Sequence, residues 1–111
     1  MTEKRIAKEI QHILPQVRKI LETLYGDRLR GVVLYGSFAR NTPSADSDID
    51  VAVVLEGAVD KPKEIDRIYD TLYDLMLETG EVVSVYPLSE EEAADLTWPL
   101  HYHIKNEGIP I

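Results

Sequence analysis

Asp48 and Asp50 stand two residues apart at the head of an apolar run, Asp48-Ile49-Asp50-Val51-Ala52-Val53-Val54-Leu55. Residues two apart on a strand share a face, so both carboxylates would point the same way, roughly 6.5–7 Å apart along the backbone. Two acids placed like this repel unless a cation sits between them, and a buried unpaired acid is costly. Mg²⁺ suits such a pair: it takes carboxylate oxygens, keeps water and borrows further ligands from phosphates. Upstream, the apolar run Leu29–Tyr35 leads into Gly36-Ser37. Glycine allows a ligand to approach the backbone, and the amides of a short helix through Phe38-Ala39-Arg40, with the Ser37 hydroxyl, are donors for phosphate oxygens. Gly36-Ser37, ten residues, then Asp48-x-Asp50 thus predicts a phosphate grip and a metal grip on neighbouring strands. That pairing is what nucleoside triphosphate chemistry requires.

Other readings of these acids are weaker. Asp46-x-Asp48-x-Asp50 resembles the start of an EF-hand calcium loop, but the sixth and twelfth positions hold Val51 and Gly57 instead of Gly and Glu. Asp46 reads as a turn residue. His101 and His103 are two apart, which does not bring them to one helix face, so they do not suggest a zinc site.

The elements that must position the two grips follow from hydrophobic period and from start and stop signals. Thr2 to Leu24 has apolar residues at helical spacing, with Thr2 as candidate N-cap and Pro15 predicting a kink or a fresh helix start. Lys4, Arg5, Lys8, Arg18 and Lys19 read as its solvated face. Leu29–Tyr35 and Ile49–Leu55 are the first two strands, joined through a polar loop at Asn41-Thr42-Pro43-Ser44-Ala45. Asp60 caps a helix with Pro62 in its first turn and Gly80 as its stop. Val82–Leu88 is the third strand, and Ser89 with Glu92 forms a capping box for a short acidic helix. Pro99 opens a last helix over Leu100–Glu107, ended by Gly108; the apolar tail Ile109-Pro110-Ile111 either packs on the domain or belongs to an interface. Trp98 reads as a core or interface anchor, and Tyr69, Tyr73 and Tyr86 as packing residues. The expected architecture is α+β: a small mixed sheet with helices packed largely on one face, over a single domain spanning 1–111.

Bulk properties narrow the classes. The 111 residues carry 12 basic and 20 acidic side chains, a net charge of −8, which argues against general nucleic-acid or anionic-membrane binding. A nucleotide held through Mg²⁺ remains compatible, because the metal supplies the positive charge. There is no cysteine, no apolar run long enough to span a bilayer and no visible signal peptide after Met1-Thr2-Glu3-Lys4-Arg5. A cytoplasmic protein is expected; the oligomeric state is left open between monomer and homo-oligomer.

Gly36-Ser37-Phe38-Ala39-Arg40 … Ser47-Asp48-Ile49-Asp50-Val51 resembles the signature of the minimal nucleotidyltransferases, relatives of DNA polymerase beta. The likeness extends through the leading helix, the Pro87-Leu88-Ser89-Glu90-Glu91-Glu92 run and the Ile104-Lys105-Asn106-Glu107-Gly108 ending. It implies the polymerase beta-like nucleotidyltransferase fold. It further implies that Gly36 and Ser37 bind the triphosphate, that Arg40 adds charge near it, and that Asp48 and Asp50 are catalytic and hold two Mg²⁺ ions. Members of this group commonly pair with HEPN-type toxins and act as antitoxins, moving AMP from ATP to a tyrosine hydroxyl of the toxin. The sequence departs from the pattern twice. Asn41 stands where glycine is common, and asparagine tolerates positive φ as well. Ser84 falls where active members carry a third carboxylate, and a hydroxyl is neither a strong Mg²⁺ ligand nor a base at neutral pH. Glu81, three residues earlier, would point to the opposite strand face unless a bulge turned it. The alternative implied by Ser84 is a catalytically weak or inactive module of the same fold that neutralises a partner by complex formation.

Overall fold

The computed structural model describes residues 8–40, 42 and 47–111. The expected N-cap Thr2, the basic residues Lys4 and Arg5, and Asn41, Pro43, Ser44, Ala45 and Asp46 lie outside the described residues. In chain order the elements are α1 (Lys8–Gln11), α2 (Leu14–Tyr25), a 3-10 turn over Gly26–Arg28, β1 (Leu29–Tyr35), α3 (Gly36–Ala39), β2 (Ile49–Leu55), α4 (Lys61–Thr79), β3 (Val83–Ser89), α5 (Glu90–Ala94), α6 (Pro99–Glu107) and β4 (Ile109–Pro110).

Pro15 produces a fresh helix start. It lies in the first turn of α2, where its missing N–H costs no hydrogen bond, and α1 ends four residues earlier at Gln11. The other local signals act as their chemistry requires. The Asp60 carboxylate accepts from the Lys63 N–H at 3.3 Å, Gly80 closes α4 at φ +71°, and Ser89 and Glu92 form both bonds of the capping box.

The sheet order is β3-β2-β1-β4. β1 runs antiparallel to β2 and β4, whereas β2 and β3 are parallel and are connected by α4, so the sheet is mixed. The tail is the fourth strand: Ile109 and Pro110 pair with Leu34 and Val33, the Ile111 N–H donates to the Val32 carbonyl at 2.9 Å, and the Arg18 guanidinium donates to the Ile111 carbonyl at 2.6 Å. Arg18 therefore clamps the tail instead of lying only on a solvated face. β3 begins one residue later than the sequence suggests. Val82 is exposed, though its carbonyl accepts from the Ile49 N–H at 2.8 Å.

Alternation along β2 separates two environments. Ile49, Val51, Val53 and Leu55 are fully buried, with Leu14, Val17 and Leu21 of α2 and Ile68, Leu72 and Leu75 of α4 over them. Each such side chain contributes roughly 1.5–3 kcal/mol on burial. The long helices thus pack on one face. The other face carries Asp50, Ala52 and Val54; a smaller cluster of Ala52, Leu88 and Ile104 covers its far end, with Tyr35 and Tyr86 half-buried beside it. The near end of that face, around Asp50, is where Gly36 and Asp50 meet.

Candidate active site

Asp50 is the second residue of β2, the central strand of the site. Its register partners are Tyr35 of β1 on one side and Ser84 of β3 on the other. Directly paired residues point to the same sheet face, so Tyr35, Asp50 and Ser84 form a row on the face opposite the main core. Asp48 lies just before the strand and is exposed, whereas Asp50 is half-buried. Burial pushes the Asp50 carboxyl above its ordinary 3.8, the neighbouring charge of Asp48 raises it further, and Arg40 opposes both.

Gly36 leaves β1 at φ +75°, and a β-carbon built there would collide with the Asp50 carboxylate. Glycine therefore meets two demands at one position: a left-handed backbone and room for an acid from the next strand. Gly36 opens the single helical turn α3, with Ser37 second and the Arg40 N–H donating back to the Gly36 carbonyl at 3.0 Å. The turn is extended when the Thr42 N–H donates to the Ser37 carbonyl at 2.9 Å. The Arg40 guanidinium lies 3.4 Å from Glu107 of α6 in an exposed pair, so it ties α3 to α6 as well as lending charge to Asp50.

Ser84, next to Asp50, leaves the site with two carboxylates, Asp48 and Asp50, where three could stand. Glu81 does not substitute for it: it lies in the turn before β3, its N–H donating to the Thr79 hydroxyl at 3.2 Å. Among the described residues no group of three His, Cys, Asp or Glu converges. A pair of hard oxygen donors with open positions fits Mg²⁺, which completes its shell with water and phosphate, better than it fits zinc. The electrostatics agree, since each charge on Asp48 makes ionised Asp50 less favourable until a cation is added.

Several residues of the site escape a reading of sequence alone. Tyr35 is pushed up to about 12 by burial, the Asp50 charge and the nearby Tyr86 and Tyr69, so its phenol keeps its proton at neutral pH. Only the strand register reveals that Tyr35 faces Asp50. Tyr86, two residues along β3 from Ser84, is bonded to His101 at 2.9 Å. The His101 Nδ1 lies 3.1 Å from the Asp95 carbonyl, which only accepts, so Nδ1 carries the hydrogen and, in the neutral ring, Nε2 accepts from the Tyr86 hydroxyl. His101 is thus the packed histidine and His103 the exposed one. Trp98 is 62% exposed and Tyr73 58%, so neither is a core residue. No helix among the described residues is long and apolar enough to cross a membrane.

Comparison with known proteins bears on the family and the fold. The family model described as a nucleotidyltransferase domain matches residues 14–108. A candidate protein adenylyltransferase of Methanocaldococcus jannaschii, MJ0604, is 30% identical over 109 residues, covering 97% of this chain and 96% of that protein. A second from the same organism, MJ0141, is 30% identical over 74 residues, covering 62% of this chain and 75% of the relative. Among solved structures, a toxin-antitoxin crystallised with AMP-PNP superposes with a TM-score of 0.63 at 20% identity, over 94% of this chain and 72% of that one. A variant of the toxin-antitoxin MntA-HpeT with two Asp→Glu changes gives 0.63 at 21%, over 86% of this chain and 69% of that one. At that identity the structural likeness speaks for the fold alone. The matched family model and the full-length relative go further: the chain belongs to the nucleotidyltransferase domain family.

Proposed function

We propose that this protein is an Mg²⁺-dependent nucleotidyltransferase that moves AMP from ATP to a hydroxyl of a partner protein, a tyrosine of a HEPN-type toxin, and so acts as its antitoxin. The observation that carries this reading is the close approach of Gly36 to the Asp50 carboxylate, the residues to which this reading assigns the triphosphate and the metal. The names of the full-length M. jannaschii relative and of the toxin-antitoxin neighbours support the transferred group and the class of partner.

In this reading the backbone of Gly36 and Ser37, with the Ser37 hydroxyl, holds the β- and γ-phosphates, and Arg40 adds charge beside them. Asp48 and Asp50 hold Mg²⁺. The metal, when bound, offsets the negative charge that gathers on the phosphoryl oxygens. The acceptor oxygen bonds to the α-phosphorus, the bond from that phosphorus to the bridging oxygen breaks, and pyrophosphate leaves. The hydroxyl proton passes to water, because Ser84 offers no carboxylate to take it.

A second reading has a specific observation behind it. Ser84 stands in register with Asp50, so the chain could bind a partner and nucleotide with little turnover. The partner's intact mass after incubation with ATP and Mg²⁺ separates the two. A gain of AMP that disappears with Asp48→Asn supports the transferase; a stable complex with no gain supports the binding module.

A further inference from the structure

The order of strands around Asp50 has a directional consequence, which rests on the proposed transfer reaction. In an in-line displacement the attacking and leaving oxygens lie on opposite sides of the phosphorus. Pyrophosphate held by Gly36-Ser37 leaves toward β1, since Gly36 directly follows that strand. The acceptor must then arrive over β3, across Ser84.

On that side the sheet face runs into a cavity of about 400 Å³ lined by Lys61, Tyr86, Glu92, Trp98, Leu100 and His101. Its polar groups are already engaged with one another. Tyr86 bonds to His101, and the Lys61 ammonium donates to the Pro87 carbonyl at 2.9 Å, pairs with Glu92 at 3.0 Å and lies 4.8 Å from the centre of the Tyr86 ring. A nucleobase edge would need donors and acceptors that this lining has committed elsewhere. An apolar side chain needs none, and the mouth offers Trp98 and Leu100, which are 62% and 40% exposed. The rim is acidic: Glu92 lines it and exposed Asp95 lies beside Trp98 and His101, on a chain of net charge −8.

We propose that this cavity docks the acceptor: it seats an apolar side chain of an extended, basic, tyrosine-bearing segment of the partner protein. The spacing sets the register. Tyr86 lies two strand residues beyond Ser84, roughly 6.5–7 Å, which matches the distance between side chains two apart in an extended peptide. The anchor is therefore two positions from the accepting tyrosine.

Trp98 is the single tryptophan, so its emission reports occupancy. The full chain is titrated with the peptide Lys-Lys-Leu-Ala-Tyr-Lys-Lys, with Mg-ATP binding followed separately by calorimetry. The expected result is a saturable blue shift of Trp98 emission. Leu→Ser in the peptide, Glu in place of its lysines, or Leu100→Ser in the protein each weaken binding by about tenfold or more, while the affinity for Mg-ATP stays unchanged. Leu100 is exposed enough for the variant to fold, which its melting temperature checks. A Trp98 response to ATP alone would assign the cavity to the base, and a response to protein concentration alone would assign it to a second copy; either overturns the proposal, as does no response to the peptide. Transfer of AMP to the peptide with Trp98 silent also overturns it while leaving the transferase reading intact. A peptide-induced shift in a chain that does not bind Mg-ATP keeps the docking surface and removes the reaction.

Discussion

Two carboxylates taken out of water in this protein have opposite surroundings. Glu64, on α4, is 4% exposed. It accepts from the Tyr25 hydroxyl at 2.9 Å and lies 3.4 Å from Arg28 and 3.6 Å from Arg67. Burial and the Glu64 contact in turn raise the Tyr25 pKa, which keeps that hydroxyl a donor. Asp50, half-buried on β2, has no hydrogen bond or ion pair from the described residues; Asp48 repels it and Arg40 acts from a distance. An acid with its counter-charges in place closes a junction between α2, the 3-10 turn that follows it and α4. An acid held beside a like charge, against a glycine that makes room for it, lacks such a counter-charge among the described residues, which is the basis for the cation we propose there.

The comparison breaks most decisively at Asp48. Asp48→Asn is expected to lower AMP transfer by about 10³-fold or more and to abolish Mg²⁺-dependent nucleotide binding, with the melting temperature nearly unchanged because Asp48 is exposed. Calorimetry and intact mass read the two halves of that statement. Glu64→Ala is the mirror image. It strands the Tyr25 hydroxyl and two arginines and is expected to cost about 2 kcal/mol in urea unfolding, while nucleotide affinity of the folded fraction stays as it was. If Glu64→Ala instead spared stability and weakened nucleotide binding, the assignment of roles would be inverted.

Ser84→Asp tests the empty place in the row. A third carboxylate beside Asp50 should lower the stability of the metal-free protein and raise transfer measured with Mg²⁺ and ATP; unchanged transfer would favour the binding-module reading. Asp50→Asn sharpens the electrostatic side. Because the folded chain holds the Asp50 proton more tightly than the unfolded chain, the metal-free protein loses stability as pH rises from 3.8 through the raised value. Asn cannot ionise, so the variant should melt higher than the parent above that window. With Mg²⁺ and ATP at a hundredfold excess over the dissociation constant the parent gains about 2.7 kcal/mol and the order reverses.

Glu92 lies between the two extremes. The Ser89 N–H first, and then Lys61, hold its carboxyl below the ordinary 4.5. Its contribution is complete above pH 4.5 and lost as pH falls through the lowered value. Glu92→Gln should cost under about 1 kcal/mol at pH 7, since the Lys61 pair is partly exposed, and the difference should vanish in acid.

What could be read from the sequence was what local chemistry dictates. Helical spacing, Asp60, the Ser89–Glu92 box, Gly80 and Pro15 each act within a few residues, and each produced the element it implied. Gly36-Ser37 and Asp48-x-Asp50 belong to this class too, as a motif whose parts are close along the chain. Contacts made across the chain could not be read this way. Tyr25 and Glu64 are 39 positions apart, and nothing near either residue marks the other. One clue was present: Glu64 shares the buried stripe of Ile68, Leu72 and Leu75 on α4, an acid on an apolar face. Tyr35 needed the strand register, Trp98 needed the surface, and the tail needed the open edge of β1.

That tail bears on folding. β1 ends at Tyr35, directly before Gly36, and its outer edge is filled by Ile109 and Pro110, secured by a bond from Arg18 to a residue 93 positions later. Contacts of such long sequence separation close late, because the loop entropy must be lost before they form. The strand that leads into Gly36 is therefore completed only when residues 109–111 have emerged and docked. Until then the outer edge of β1 is open, with the Val32 carbonyl unpaired on that side, and presents itself to any other extended segment.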